Sequence, residues 1–244
     1  MAGLISLFQK HKKTPLLCAA VVVAAGRSER MEGVDKMLAP LGELPVLVHT
    51  LYVFQDCPSI SEVVVVTRED LLVEVSRLCR EYQLDKVTKV VVGGEDRAHS
   101  VAVGLGEVRP EADLIAIHDG ARPLVPLQVV EEAVAQGART GAAAPALPVT
   151  DTIKRAEGGR TVETVDRSQL WAVQTPQVFE AGLIRAAVEK ALADGESLTD
   201  ECGAVERLGM PVTLTPGSRE NIKITTPFDL LLGEAILEDR AGRK

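Results

Sequence analysis

Four short runs of small and β-branched apolar residues most constrain the fold of this chain. They lie at 20–24 (AVVVA), 62–67 (EVVVVT), 87–92 (VTKVVV) and 114–118 (LIAIH). The first is continuous rather than alternating, as in a strand buried on both faces. Between and after the runs, apolar residues recur at helical spacing. Residues 43–55 carry Val46, Leu47, Val48, Leu51, Val53 and Phe54, and residues 69–82 carry Leu71, Leu72, Val75, Leu78, Cys79 and Tyr82. Further helices are predicted over about 98–108 and from Pro126, a residue suited to a first helical turn, to about 139. Strands that alternate with helices require right-handed crossovers and a mostly parallel sheet covered on both faces. The predicted fold class is therefore α/β.

In such a sheet, ligands bind in the crevice at the carboxyl ends of the strands. The first strand ends in Ala24-Ala25-Gly26 and runs into a polar loop with Arg27, Arg30 and Lys36. A glycine-turned loop there can aim backbone N–H groups at a phosphate while the cations neutralise its charge. The alternative is an ordinary strand followed by a solvated basic turn. Two common phosphate loops are excluded. A Walker A loop needs Gly-Lys-Ser/Thr after a first glycine and four residues, where this chain has Met31. A dinucleotide fingerprint needs three glycines, and Arg27-Ser28-Glu29 supplies none. A strand end with positive charges at increasing reach suits a nucleoside triphosphate better than a dinucleotide, which disfavours an NAD-linked dehydrogenase.

Composition narrows the partners. The 244 residues are 46% apolar and 25% charged, as expected of one globular α/β domain. A net charge of −8 argues against a nucleic-acid partner, and the basic cluster Lys10 to Lys13 reads as part of a solvated tail over 1–16. The four cysteines, Cys18, Cys57, Cys79 and Cys202, show no C-x-x-C spacing, which predicts a reducing, cytoplasmic setting without a zinc or disulfide framework. No run approaches the about 20 apolar residues of a membrane helix, and 1–17 lacks the features of a signal peptide.

Later in the chain the pattern changes. Residues 150–165 (TDTIKRAEGGRTVETV) are polar and β-prone around Gly158-Gly159, which predicts a projecting hairpin; the alternative is a long surface loop. The main fold resumes over 171–179, with helices over 181–193 and 199–208 and strands over 212–215 and 222–225. Thr226-Pro227-Phe228-Asp229 has the cap, proline and acid of a helix start. No linker or repeat interrupts the chain, so the prediction is a single domain over 17–240 with an arm at about 150–168.

Two more strand ends carry candidate chemistry. Gly93-Gly94-Glu95-Asp96-Arg97-Ala98-His99-Ser100 allows close backbone approach to a ligand, with Ser100 in the first turn of a helix; the alternative is a glycine turn with helix caps. In His118-Asp119-Gly120-Ala121-Arg122-Pro123, Asp119 is placed to meet a hydroxyl or a phosphate-bound Mg²⁺. Arg122 either clamps a phosphate or pairs structurally with Asp119, and His118 reads as a packed, structural histidine. Lys223 alternates with Ile222 and Ile224 and so points away from the core, as either a surface lysine or a site lysine.

The ordered set AAGxxxRM…K, GGxxRxxS, HDxARP, DTxK, VDR…LW, QTPQ, TDE and NIKIT resembles the 2-C-methyl-D-erythritol 4-phosphate cytidylyltransferase family of the nucleotidyltransferase superfamily, from about residue 17 to about 236. The resemblance implies a Rossmann-like nucleotidyltransferase domain. Its arm would cross to a second subunit and make a homodimer. It implies CTP contacts from Ala24, Ala25, Gly26, Gly94, Glu95, Ser100, Asp119 and Gly120, with Glu95 and Gly120 departing from the family's usual aspartate and alanine. Contacts to a polyol phosphate would come from Asp119, Arg122, Thr152, Arg167, Thr175, Thr199 and Lys223. Arg30 and Lys36 would stabilise the triphosphate side of the transition state, Arg167 and Lys223 would hold the attacking phosphate, and Mg²⁺ would be held mainly by the CTP phosphates. Asp35 stands where the family commonly has proline, which predicts a less rigid loop that keeps its cation. The implied reaction is attack of a phosphomonoester oxygen on the CTP α-phosphorus. That nucleophile is already anionic, so positioning and electrostatics carry the rate and no general base is required. Ribitol 5-phosphate as acceptor, or an inactive nucleotide-binding protein, are the competing expectations.

Overall fold

In a computed structural model the structure describes residues 16–26, 31, 35–195 and 198–243. The tail expected over 1–16, apart from Leu16, and the candidate Arg30 lie outside the described residues. In chain order the elements are β1 (Cys18–Val23), β2 (Pro40–Leu41), β3 (Leu44–Pro45), α1 (Val46–Asp56), β4 (Ile60–Thr67), α2 (Leu72–Glu81), β5 (Val87–Val92), α3 (Arg97–Glu107), β6 (Leu114–Asp119), α4 (Leu127–Thr140), β7 (Ala142–Pro148), β8 (Lys154–Glu157), β9 (Arg160–Thr164), β10 (Trp171–Val173), β11 (Gln177–Glu180), α5 (Ala181–Ala193), α6 (Glu201–Arg207), β12 (Thr213–Pro216) and α7 (Pro227–Gly242).

The continuous apolar run of β1 becomes the centre of an eight-stranded sheet, paired in parallel with β4 on one side and β6 on the other. Its residues divide by the two-residue period of a strand. Cys18, Ala20 and Val22 pack with Leu47, Leu51 and Phe54 of α1, Val75 of α2 and Val130 and Ala133 of α4. Ala19, Val21 and Val23 face Val101 and Leu105 of α3, Ile184 and Val188 of α5, and Val205 of α6. Both faces of the strand are thus dry. Full burial of a side chain such as Ile184 or Leu47 contributes about 2 kcal/mol. Helix α3 approaches the sheet closely, since a Cβ at Gly104 would lie 2.5 Å from Cγ1 of Val21 and 2.8 Å from Cγ2 of Val66. A third cluster joins Leu41, Val46, Leu124 and Ile224 to Leu230, Ile236 and Leu237 of α7.

β5 extends the parallel half beyond β4. The other half is mixed: β11 runs antiparallel to β6 and β7, β10 antiparallel to β7, and β12 parallel to β7. The sheet is therefore α/β and mostly parallel, as expected, with an antiparallel segment at one side.

Strand β7 is the element that the apolar pattern does not predict. AAAPALP has no β-branched residue and two prolines, yet Ala142, Ala143, Ala144 and Ala146 are all buried between neighbouring strands. The predicted strand over 222–225 is not formed. Its backbone bonds go elsewhere, from Ile224 N–H to the Ala121 carbonyl (2.7 Å) and from Ile222 N–H to the Glu220 carbonyl (2.8 Å). Helix α1 starts at Val46 rather than at 43, because Leu44–Pro45 folds back on Pro40–Leu41 around Gly42, whose φ is +60°. Helix α6 starts at Glu201, capped by Asp200 through Gly203 N–H (3.0 Å), which leaves Thr199 just outside it. The start of α7 is as expected, a capping box of Thr226 and Asp229 with Pro227 in the first turn. Residues 154–164 form the predicted hairpin, turning at Gly158 and Gly159 (φ +55° and +76°), and every residue of β8 and β9 is exposed.

Candidate active site

The parallel strands β1, β4, β5 and β6 end on one edge of the sheet, and the segments that follow them enclose an open cleft of about 650 Å³. Ala25 and Gly26 come from the end of β1, Thr67, Arg68 and Asp70 from β4, Gly93 to Arg97 from β5, and Asp119 and Ala121 from β6. Lys36 and Lys223 complete the wall. This is where the sheet topology places a ligand.

The floor requires small residues. A Cβ at Gly93 would lie 2.6 Å from the Ser100 hydroxyl and 2.8 Å from the Ala25 Cβ, so the first and third loops touch only because residue 93 has no side chain. Gly94 N–H donates to the Ser100 hydroxyl (3.1 Å), and Asp96 caps α3 by accepting from His99 N–H (2.8 Å). Ala24 and Gly120 lie one layer behind, bound to the strands through Ala24 N–H to the Val66 carbonyl (2.7 Å) and Gly120 N–H to the Val23 carbonyl (2.8 Å). Lys36 reaches back over the loop, with its Nζ 3.7 Å from the point a Cβ at Gly26 would occupy.

The opposite end of the cleft is built around Asp119. Its Oδ2 lies 2.9 Å from Lys223 Nζ and 3.4 Å from Arg122 Nε, and its Oδ1 lies 3.3 Å from Arg97 Nη2. Burial pushes this carboxyl up, but Lys223, Arg97 and Arg122 outweigh it and hold it well below the carboxylate range. Arg97 also forks onto Glu201, which is 1% exposed. Burial pushes the Glu201 carboxyl up against the pull of Arg97. Glu201 N–H donates in turn to Gln177 Oε1 (3.0 Å), and Gln177 Nε2 donates to Asp200 (2.9 Å). Three cations therefore converge on the Asp119 carboxylate at one end of the cleft, with Lys36 at the other.

Behind Asp119 runs a buried relay. Asp119 N–H donates to the Thr175 hydroxyl (3.1 Å), which lies 3.0 Å from His118 Nδ1, and His118 Nε2 lies 3.2 Å from the Arg122 carbonyl. A carbonyl only accepts, so Nε2 carries the proton and Nδ1 accepts from Thr175. Burial lowers the His118 pKa to about 4, and its ring packs on Phe54 at 4.9 Å. His118 is a neutral, packed histidine, as its sequence context predicts.

Eight of the sequence-derived candidates thus line the cleft: Ala25, Gly26, Lys36, Gly94, Glu95, Ser100, Asp119 and Lys223. Ala24, Gly120, Arg122 and Thr175 support it from behind. Thr152, Arg167 and Thr199 are exposed and lie off its wall; Arg167 donates to the Thr150 carbonyl within the arm. The motif reading assigned no role to Arg97, Glu201 or Arg68. The first two sit inside quoted motifs, and Arg68 directly follows a strand's carboxyl end, which is the position that flags a ligand contact in this topology.

Comparison with known proteins agrees with the family resemblance of the motifs. The sequence pattern of the 2-C-methyl-D-erythritol 4-phosphate cytidylyltransferase family matches residues 18–239. The enzyme of that name from Halalkalibacterium halodurans is 43% identical over 226 residues, covering 92% of this chain and 99% of its own length. Its counterpart from Geobacillus kaustophilus is 44% identical over 222 residues, covering 91% and 97%. Among solved structures, 4-diphosphocytidyl-2C-methyl-D-erythritol synthase from Anaerococcus prevotii superposes with a TM-score of 0.81 at 28% identity over 92% of this chain and 97% of that one. The cytidylyltransferase from Thermus thermophilus superposes with a TM-score of 0.75 at 32% identity over 89% and 98%. The chain belongs to the 2-C-methyl-D-erythritol 4-phosphate cytidylyltransferase family.

Proposed function

We propose that this chain transfers CMP from CTP to 2-C-methyl-D-erythritol 4-phosphate, releasing pyrophosphate and forming 4-diphosphocytidyl-2-C-methyl-D-erythritol for isoprenoid precursor synthesis. The observation that carries the reading is the placement of cations at both ends of the cleft, Lys36 over the Gly26 loop at one end and the Arg97–Arg122–Lys223 cluster at the other. Two polyanions must meet there. An oxygen of the acceptor phosphomonoester attacks the α-phosphorus, and the bond to the β-phosphate bridging oxygen breaks. Ala24, Ala25, Gly26, Gly94, Glu95, Ser100 and Gly120 are the candidate contacts of CTP. Lys36 and Arg30 stabilise the charge that develops on the triphosphate. Asp119 takes a hydroxyl, while Lys223 and Arg122 supply the cations on which the acceptor phosphate docks, with Thr199 at the near helix start. Thr175 acts through the backbone of Asp119. No histidine need serve as base, which agrees with a His118 that is neutral and enclosed.

Mg²⁺ would neutralise phosphate charge and hold the chain of phosphates extended. Among the described residues no group of three His, Cys, Asp or Glu could cage a metal, and both oxygens of Asp119 already face cations. This donor set fits a Mg²⁺ held mainly by phosphate oxygens.

Thr152 and Arg167 lie off this chain's own cleft, and the exposed arm and its base carry Val162, Trp171 and Val173 at 48%, 47% and 38% exposure. Both features support a homodimer in which each arm serves the partner's acceptor site; sedimentation equilibrium at the mass of one chain would refute it. The four buried, unpaired cysteines support a reducing, cytoplasmic setting, and no described helix is long and apolar enough to cross a membrane. The deciding assay is pyrophosphate release from CTP and Mg²⁺ with either methylerythritol 4-phosphate or ribitol 5-phosphate. Release with the first acceptor alone is expected. Release with the second alone corrects the acceptor, and silence with both leaves a nucleotide-binding protein.

A further inference from the structure

The lysine of the nucleotide loop is held from both sides, and one of its two anchors is an ion pair. On the C-terminal side, Met37 is 2% exposed, and its carbonyl accepts from Leu47 N–H of α1 (3.0 Å). On the N-terminal side, Asp35 makes three kinds of bond. Its Oδ1 accepts from Met37 N–H (2.8 Å), and its carbonyl accepts from Leu38 and Ala39 N–H (3.2 and 2.8 Å), closing the turn that carries Lys36. Its Oδ2 lies 2.6 Å from Arg68 Nη1. Arg68 follows the last residue of β4 and is itself fixed by a fork onto Asp70, at 2.9 and 3.0 Å. Both partners are largely covered, with 21% of the Arg68 side chain and 17% of the Asp35 side chain exposed. Asp35 thus ties down, with an ion pair and a backbone cap, the position where the resembled family commonly has a proline ring.

We propose that the Asp35–Arg68 pair positions Lys36 for the triphosphate, so that Asp35 and Arg68, neither assigned a role by the motifs, are positioning residues of the nucleotide site. The cleft needs the Lys36 ammonium in one place when the polyanion arrives. If release of the pair leaves it there only about a tenth of the time, apparent CTP affinity falls about tenfold. Asp35 is suited to this task because Asn at the same position keeps the cap on Met37 N–H but loses the attraction to Arg68.

The inference rests on the reading that CTP fills this cleft. The test is CTP binding by titration calorimetry with Mg²⁺ on four proteins: wild type, Asp35→Asn, Lys36→Ala, and the double variant. The expected result is a Kd for CTP raised about tenfold by Asp35→Asn in the wild-type background and changed less than about twofold when Lys36 is already alanine, because the pair acts through that lysine. Melting temperatures of the single variants close to wild type show that the fold is intact. Wild-type affinity in Asp35→Asn overturns the proposal, as does an equal loss with and without Lys36. Wild-type protein that fails to bind CTP overturns the parent reading instead, and the pattern among variants then has no bearing on it.

Discussion

Thr175→Val is the most informative single change, because it separates the relay behind Asp119 from the charges in front of it. The substitution exchanges a hydroxyl for a methyl of similar size at a residue that is 4% exposed. It removes the acceptor of Asp119 N–H and the donor to His118 Nδ1, groups on residues 8% and 0% exposed. Each buried group left without its partner costs about 1–3 kcal/mol. The added methyl returns about 1 kcal/mol. The net loss is about 1–5 kcal/mol, and at about 2–4 °C per kcal/mol for a domain of this size the melting temperature falls about 2–20 °C. Differential scanning calorimetry measures the change, with Thr175→Ser as the control that keeps the hydroxyl and gives up only a methyl. Turnover at 25 °C with varied acceptor then reads how far Asp119 has moved. If Thr175→Val melts with Thr175→Ser, the relay does not hold the loop and the reasoning fails. If stability holds but the acceptor KM rises, the hydroxyl faces the substrate directly.

Two further outcomes follow from the same region. His118 has a folded pKa of about 4 against about 6.5 in the unfolded chain, so the unfolded state binds more protons between these values. Stability is therefore whole above about pH 6.5 and falls as pH drops toward 4, by up to about 3 kcal/mol. Urea titrations of wild type and His118→Gln across that window isolate this slope from Glu201, whose raised pKa contributes with opposite sign; parallel curves for the two proteins refute it. Gly104→Ala gains about 1 kcal/mol of helix propensity but drives a Cβ to 2.5 Å from a Val21 methyl on the central strand, where overpacking costs about 1–3 kcal/mol. A lowered melting temperature is expected, and a raised one would mean that α3 can lift from the sheet.

Much of the fold was legible because the chain repeats one physical statement. The run of β1 is dry on both faces, and the periodic segments at 72–81, 97–107 and 181–193 supply the helices that cover them. Strand β7 was not legible, because alanines and prolines carry no strand preference of their own; it is a strand because β11, β10 and β12 flank it. The stretch 222–225 fails in the reverse sense: its alternation is real, burying Ile224 and exposing Lys223, but among the described residues no strand pairs with it. In the site, the glycine loops and Asp119 were readable as strand ends. The Arg97–Glu201 fork and the Asp35–Arg68 pair join residues 104 and 33 positions apart, and nothing local announces such partners.

The ion pairs around Asp119 also decide how the cleft receives an anion. Arg122 is largely covered, Lys223 remains exposed, and both are turned toward the site by a carboxylate that belongs to the protein. In the proposed function, an incoming phosphate meets charges whose orientation was settled when the chain folded, and it competes for them with Asp119. Docking is an exchange of partners. On that reading the carboxylate is an internal placeholder for the acceptor phosphate, keeping three like charges together.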